Sequence, residues 1–137
     1  MNFLFLLCLV LFQADIPYRM LNADLSKPKE ADYAISIERP IGRTDLERVV
    51  CKVLVKEAAL KFERVNVRVF VGLRAYVKDE EYDEPVAATA EKQLGWYVWN
   101  RTLPRVRGRL VLMKAMDGTP LAPWDAKDFS HENTCRK

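Results

Sequence analysis

The segment from Thr44 to Phe62 constrains the fold most, because it has helical periodicity and lies between two strand-like runs. Its apolar residues recur at three- and four-residue spacing, which is the period of an α-helix. Thr44 and Glu47 have the spacing of a capping box, in which two side chains satisfy free amides at a helix N-terminus. The pattern predicts one long helix, about 44–62, whose apolar face packs on a sheet. The apolar stripe consists of Leu46, Val49, Val50, Val53 and Leu60.

Two alternating runs flank this helix. In residues 33–41, Tyr33, Ile35 and Ile37 alternate with smaller or polar residues. In residues 64–76, valines at positions 65, 67, 69 and 71 alternate with mostly polar residues. Alternation of this kind predicts half-buried strands. We therefore expect the valines to face the helix and the residues on the other side, such as Arg68, to face solvent.

Two further runs complete the predicted sheet. Residues 94–99 are aromatic and β-branched, and residues 106–113 carry apolar residues typical of a strand. The sequence therefore predicts an α+β fold in which one long helix (about 44–62) packs on an antiparallel sheet of three to four strands. The 137 residues, 50% of them hydrophobic, are enough for one domain with a core.

The chain divides into four segments by composition. Residues 1–14 are predicted as a signal peptide, 15–31 as a lead-in or linker, 32–114 as the α+β domain and 115–137 as a loosely docked tail. No internal repeat or low-complexity run interrupts this order. The organisation therefore points to one folded unit with less regular ends.

The first fourteen residues carry no charge, and their apolar core runs from Phe3 to Phe12. This core is shorter than the roughly 20 residues that span a bilayer, and it matches the ~7–15-residue apolar region of a secretory signal. The best cleavage site follows Ala14. Alternatives are a buried N-terminal strand or helix, and translation from Met20. The prediction is a secreted or periplasmic protein, with a cytoplasmic one as the alternative if translation starts at Met20.

The cysteine content fits this prediction. The chain has 3 cysteines, Cys8, Cys51 and Cys135, and removal of the signal would leave two of them. Exported chains form disulfides in oxidising compartments, which favours a Cys51–Cys135 bond. In the alternative, Cys51 is a small core residue and Cys135 is a free thiol.

The sequence offers little support for catalysis or metal binding. His131 is the single histidine, and with Cys135 it forms only one His-x-x-x-Cys pair, whereas a structural zinc site takes about four ligands. The acidic run 79–84 lacks the ligand spacing of an EF-hand loop. No glycine-rich phosphate loop or Gly-x-Ser-x-Gly elbow is present. We therefore predict a non-enzymatic protein without catalytic residues, metal or cofactor.

Charge and aromatic residues indicate binding surfaces. The 22 Lys and Arg residues outnumber the 19 Asp and Glu residues, giving a net charge of +3, too small to indicate nucleic-acid binding by itself. The favoured function is a small exported domain that binds a protein through the acidic loop or through an exposed sheet face. The alternative is a cytoplasmic phage or plasmid accessory protein that binds nucleic acid through Arg101–Arg109. The candidate binding residues are Arg68, Tyr97, Trp99, Arg101, Arg105, Arg107 and Arg109.

Four stretches follow one another along the chain: Ile35-Ser36-Ile37, Thr44-Asp45-Leu46-Glu47, Val67-Arg68-Val69-Phe70-Val71 and Val86-Ala87-Ala88-Thr89-Ala90. In these stretches the chain resembles a family of small bacterial and phage-associated α+β domains of unknown function. In that family a strand leads to a capped helix, a second strand and a closing strand. The resemblance covers residues 33–100, about half of the chain, and implies a fold but no activity.

Overall fold

The computed structural model describes residues 15–121 and 125–135, so the predicted signal peptide lies outside the described residues. The main element is a six-stranded sheet in the order β1-β2-β3-β6-β7-β8, and β4 and β5 form a separate hairpin. The strands are β1 (Arg19–Asp24), β2 (Glu30–Ile37), β3 (Arg64–Val71), β4 (Lys78–Asp79), β5 (Glu84–Pro85), β6 (Gln93–Asn100), β7 (Gly108–Leu112) and β8 (Ala126–Asp128). The helices are α1 (Arg43–Lys56), the single-turn helices α2 (Ala87–Ala90) and α3 (His131–Thr134), and a 3₁₀ turn (Ala59–Lys61).

The sheet is mixed, so the prediction of an antiparallel sheet of three to four strands is wrong. β2 and β3 are neighbours and run parallel, whereas the other strand pairs of this sheet are antiparallel. The cause is α1, which connects β2 to β3. A helix lying on the sheet returns the chain to the end of the sheet at which β2 begins, and β3 then runs in the same direction as β2.

The prediction of one long helix over 44–62 is also wrong. The helix ends at Lys56, and Ala58 has a left-handed backbone conformation with φ 51°. A helix of 14 residues is about 21 Å long, close to the length of the eight-residue strands below it. Continuing to residue 62 would carry the chain past the sheet, and Leu60 is accordingly 54% exposed.

The start of α1 differs from the predicted capping box. Gly42 is the N-cap residue, no side chain caps the helix, and Thr44 lies within its first turn. Glu47 accepts a hydrogen bond from the Lys127 ammonium group at 3.0 Å instead of reaching back to an amide. Arg43 donates to the Leu110 carbonyl oxygen at 3.1 Å and is also paired with Asp125. The helix start is therefore fixed to the β7–β8 edge of the sheet.

One face of the sheet packs against α1 and forms the core. Four of the five residues in the predicted helical stripe are buried, and the valines at positions 65, 67 and 69 face the helix as the alternation predicts. The same cluster contains the aromatic residues Tyr33, Tyr97 and Trp99. The second face of the sheet carries no long helix among the described residues.

The segments outside the predicted domain contribute strands to the sheet. β1 lies within residues 15–31 and pairs antiparallel with β2. β8 and α3 lie within residues 115–137, and β8 pairs with β7. Within the described parts of the chain, no helix is long and apolar enough to cross a membrane.

Candidate functional site

The second face of the sheet carries an arginine stacked on a tryptophan. Arg68 of β3 lies opposite Trp96 of β6 in the sheet register. The guanidinium carbon of Arg68 lies 4.4 Å from the centroid of the Trp96 ring, within the range of a cation–π interaction. Arg68 forms no hydrogen bond or ion pair with residues 15–121 or 125–135 within the usual distance limits. The guanidinium group is therefore held in place by the ring.

A groove lies beside this pair on the same face, with a volume of about 300 Å³. Apolar side chains form its floor, and Leu103 and Val106 are 44% and 42% exposed. Exposed apolar side chains surrounded by polar ones are typical of interaction sites. We call this site the arginine-rimmed groove, and it is lined by Arg64, Asn66, Val98, Trp99, Asn100, Leu103, Val106, Arg107 and Arg109.

The predicted basic cluster 101–109 does not form one continuous cationic patch. Arg107 is paired with Glu132 at 3.3 Å, and Arg109 is paired with Asp128 at 3.5 Å. Arg101 donates to the Leu60 carbonyl oxygen and lies over the Trp99 ring. Exposed ion pairs of this kind contribute little to stability. The groove therefore presents guanidinium groups whose positive charge is partly offset by nearby carboxylates.

The structure places Tyr97 and Trp99 in the core, whereas the sequence analysis placed them on an exposed sheet face. They are 0% and 3% exposed. In the register, Tyr97 pairs with Val67 and Trp99 pairs with Val65, so both share the helix-covered face with those valines. On the opposite face of this strand lies Trp96, which is half-buried. The alternation of β6 revealed two apolar faces but not which of them α1 covers.

A polar pocket of about 160 Å³ lies on the same face, toward β1 and β2. Lys78 contacts Asp83 at 2.8 Å and Asp24 at 3.7 Å. Burial raises the pKa of Asp32, and Asp83, Asp24 and Glu30 raise it further, while a hydrogen bond from Asn66 acts in the opposite direction. Within the described ranges, no group of three or more His, Cys, Asp or Glu residues could hold a metal ion. The ion pairs of this pocket instead attach the β4–β5 hairpin to the sheet.

The C-terminal residues form a buried cluster that the sequence analysis did not predict. The backbone amide of His131 donates to the Tyr97 hydroxyl at 3.0 Å, and that hydroxyl lies 2.8 Å from Nδ1 of the same histidine. Trp99 Nε1 donates to the Ser130 hydroxyl at 3.2 Å. Burial lowers the pKa of His131 to about 4. The histidine is therefore neutral at pH 7 and part of the core.

The two cysteines paired in the sequence analysis lie next to each other. Cys51 of α1 and Cys135, which follows α3, have their sulfur atoms at bonding distance, 2.02 Å, and are 84 positions apart in the sequence. The bond attaches the end of the described chain to the middle of the helix. Because both sulfurs are engaged with each other, neither is available as a nucleophile beside His131 in this state.

Comparisons of the chain with protein-family models, with curated protein sequences and with solved structures find no match.

Proposed function

We propose that this protein is an exported, non-enzymatic domain that binds another protein through the arginine-rimmed groove. The observation that carries this proposal is the combination, in one groove, of the exposed apolar side chains Leu103 and Val106 with flanking arginines. Protein interfaces are enriched in arginine and in aromatic residues at their centres and have polar rims. The groove shares the arginines and the polar residues of such interfaces, with Leu103 and Val106 as its exposed apolar side chains.

The chemistry of the groove indicates the partner segment that it fits. Its floor accepts one apolar or aromatic side chain, and the arginines on its rim bind carboxylates through charge-assisted hydrogen bonds. The best ligand is therefore a short acidic segment with an apolar residue at its centre. Arg68, stacked on Trp96, adds a further cation on the same face.

Export is supported by the pairing of Cys51 and Cys135, because disulfides persist in oxidising compartments and are rare in reducing ones. The test is the intact mass of the protein purified from its native host, with and without reductant and thiol alkylation. A mass that starts near Asp15, with both thiols protected, is expected. A mass that starts at Met1 or Met20, with free thiols, would refute export.

The binding proposal can be tested with a library of short random peptides displayed on phage. Selection on the oxidised protein should enrich peptides that combine acidic residues with one apolar residue. Val106→Glu places a negative charge in the groove, which repels an acidic peptide. We expect it to weaken the binding of a selected peptide by about tenfold or more, which corresponds to about 1.4 kcal/mol. Met116→Glu is the matched control, because Met116 is 66% exposed and is not among the groove residues.

Two outcomes would contradict the binding proposal. One is a selection without acidic peptides, and the other is equal peptide affinity for the two glutamate variants. Binding of nucleic acid in place of peptides, with an affinity that falls steeply with salt, would favour the alternative function of Arg101–Arg109.

A further inference from the structure

The acidic hairpin, residues 78–85, matches the ligand chemistry deduced for the groove. It contains β4, β5 and the turn between them, and it carries five carboxylates and one lysine. Tyr82 lies in this turn and is 69% exposed. The hairpin therefore presents an aromatic side chain among carboxylates, which is the complement of an apolar floor rimmed by arginines.

The hairpin is held in a defined position and does not fill the groove of its own chain. The backbone amide of Val86 donates a hydrogen bond to the Val77 carbonyl oxygen at 3.1 Å, which closes the base of the hairpin. Lys78 contacts Asp83 within the hairpin and Asp24 of β1. These contacts keep the hairpin over the β1–β2 side of the sheet, whereas the groove lies over β6 and β7.

Hairpin and groove lie side by side on one sheet face. A single row of the sheet register runs across the six strands and connects the polar pocket under the hairpin with the groove. Asn66 lines both sites. Three strand spacings of about 4.8 Å separate the β1 and β6 members of the row, about 14 Å in all. The row consists of Asp24, Asp32, Asn66, Val98, Arg109 and Asp128.

We propose that the partner of the arginine-rimmed groove is the acidic hairpin of a second copy of this chain. Because hairpin and groove share one face, a two-fold axis midway between them brings each hairpin onto the other copy's groove, and the contact forms twice. Such self-complementary contacts are the usual form of homodimer interface. The inference rests on the proposed function, since it assigns the partner of the same groove.

The ion pairs within one chain leave its groove arginines accessible to the carboxylates of a second copy. Arg109 and Asp128 are each 63% exposed in their pair at 3.5 Å. Pairs this open contribute little to folding, so the carboxylates of a hairpin can replace or join Asp128 at the guanidinium group. Arg105, four positions before Arg109 in the sequence, forms no ion pair within the described parts of the chain. Association should weaken by about tenfold or more when salt screens these charges.

The test is sedimentation equilibrium of the oxidised protein at about 100 µM, where an association with a micromolar Kd is nearly complete. The wild type should sediment as a dimer at low salt. Tyr82→Arg and Val106→Glu, each alone, should sediment as monomers, because each removes both symmetry-related contacts. An equimolar mixture of the two variants should form a heterodimer, because the unchanged hairpin of one fits the unchanged groove of the other. Met116→Glu should remain dimeric.

A wild type that is monomeric at this concentration would overturn the inference. So would a dimer that both Tyr82→Arg and Val106→Glu leave intact, or a mixture that remains monomeric. If acidic peptides still bind the groove of a monomeric wild type, the proposed function stands and only the identity of the partner is wrong. Far-ultraviolet circular dichroism of each variant verifies that it is folded.

Discussion

Reduction of the Cys51–Cys135 bond should remove a large part of the stability of the fold. The two residues are 84 positions apart, and cross-linking a loop of this length lowers the entropy of the unfolded chain. The chain-entropy relation gives about 0.6 kcal/mol from its constant term and about 4 kcal/mol from its length-dependent term at 25 °C. The expected loss is therefore about 4.5 kcal/mol, whereas most domains have a total free energy of unfolding of only about 5–15 kcal/mol.

The assay is urea unfolding at pH 7, followed by tryptophan fluorescence, of the oxidised wild type, the reduced wild type and the double variant Cys51→Ala/Cys135→Ala. Reduction changes no side-chain volume inside the core beyond the sulfur atoms. The difference between oxidised and reduced wild type therefore gives the contribution of the cross-link. The difference between reduced wild type and the double variant gives the contribution of Cys51 packing against the core. A loss below about 1 kcal/mol on reduction, far under the value from the chain-entropy relation, would refute the reasoning.

Three further perturbations follow from single residues. The pKa of His131 is about 4 in the folded state, below the unfolded value of 6.5. As the pH falls, the unfolded state therefore takes up a proton before the folded state does. The free energy of unfolding should fall by about 3 kcal/mol between pH 6.5 and pH 4. Comparing the pH dependence of urea unfolding between the wild type and His131→Asn isolates this effect from the carboxylates, and equal dependences would contradict it. Gly108→Ala should lower the free energy of unfolding by about 3 kcal/mol, because its Cβ would overlap the Phe129 carbonyl oxygen; an unchanged melting temperature would disprove this close packing. Ala58→Gly should stabilise the fold by about 0.5–1 kcal/mol, since Ala58 has φ 51° and glycine adopts this conformation without a steric penalty; a lower melting temperature of the variant would contradict this.

The side-chain periodicities of the sequence predicted much of the local structure. Alternation placed Ile35 and Val67 on the buried side of their strands, and the helical stripe identified the buried face of α1. These patterns depend on the fixed geometry of strands and helices, in which the spacing of apolar residues records which side meets the core. The number and direction of the strands depend on contacts between distant segments, which leave no comparable local pattern.

The candidate site illustrates the same limit. In β6, Trp96 and Val98 form one apolar row and Tyr97 and Trp99 form the other, so alternation by itself does not indicate which row the helix covers. The register with β3 shows that the helix covers the row of Tyr97 and Trp99, because Tyr97 lies opposite the buried Val67. Two of the three groove arginines, Arg107 and Arg109, belong to the predicted cluster, whereas Arg64 does not. The carboxylate partners of these two, Glu132 and Asp128, come from the C-terminal segment, which carried no strong packing signal.

The separation of 84 positions between Cys51 and Cys135 affects when the fold can be completed during synthesis. Cys51 emerges from the ribosome 84 residues before its partner, so its thiol stays unpaired while the intervening strands are synthesised. A product truncated before residue 126 would lack β8 and α3 and leave the edge of β7 uncovered. An open strand edge pairs readily with other chains. Formation of the bond therefore marks a molecule in which the chain has been synthesised as far as Cys135, so that β8 and α3 are available to cover that edge.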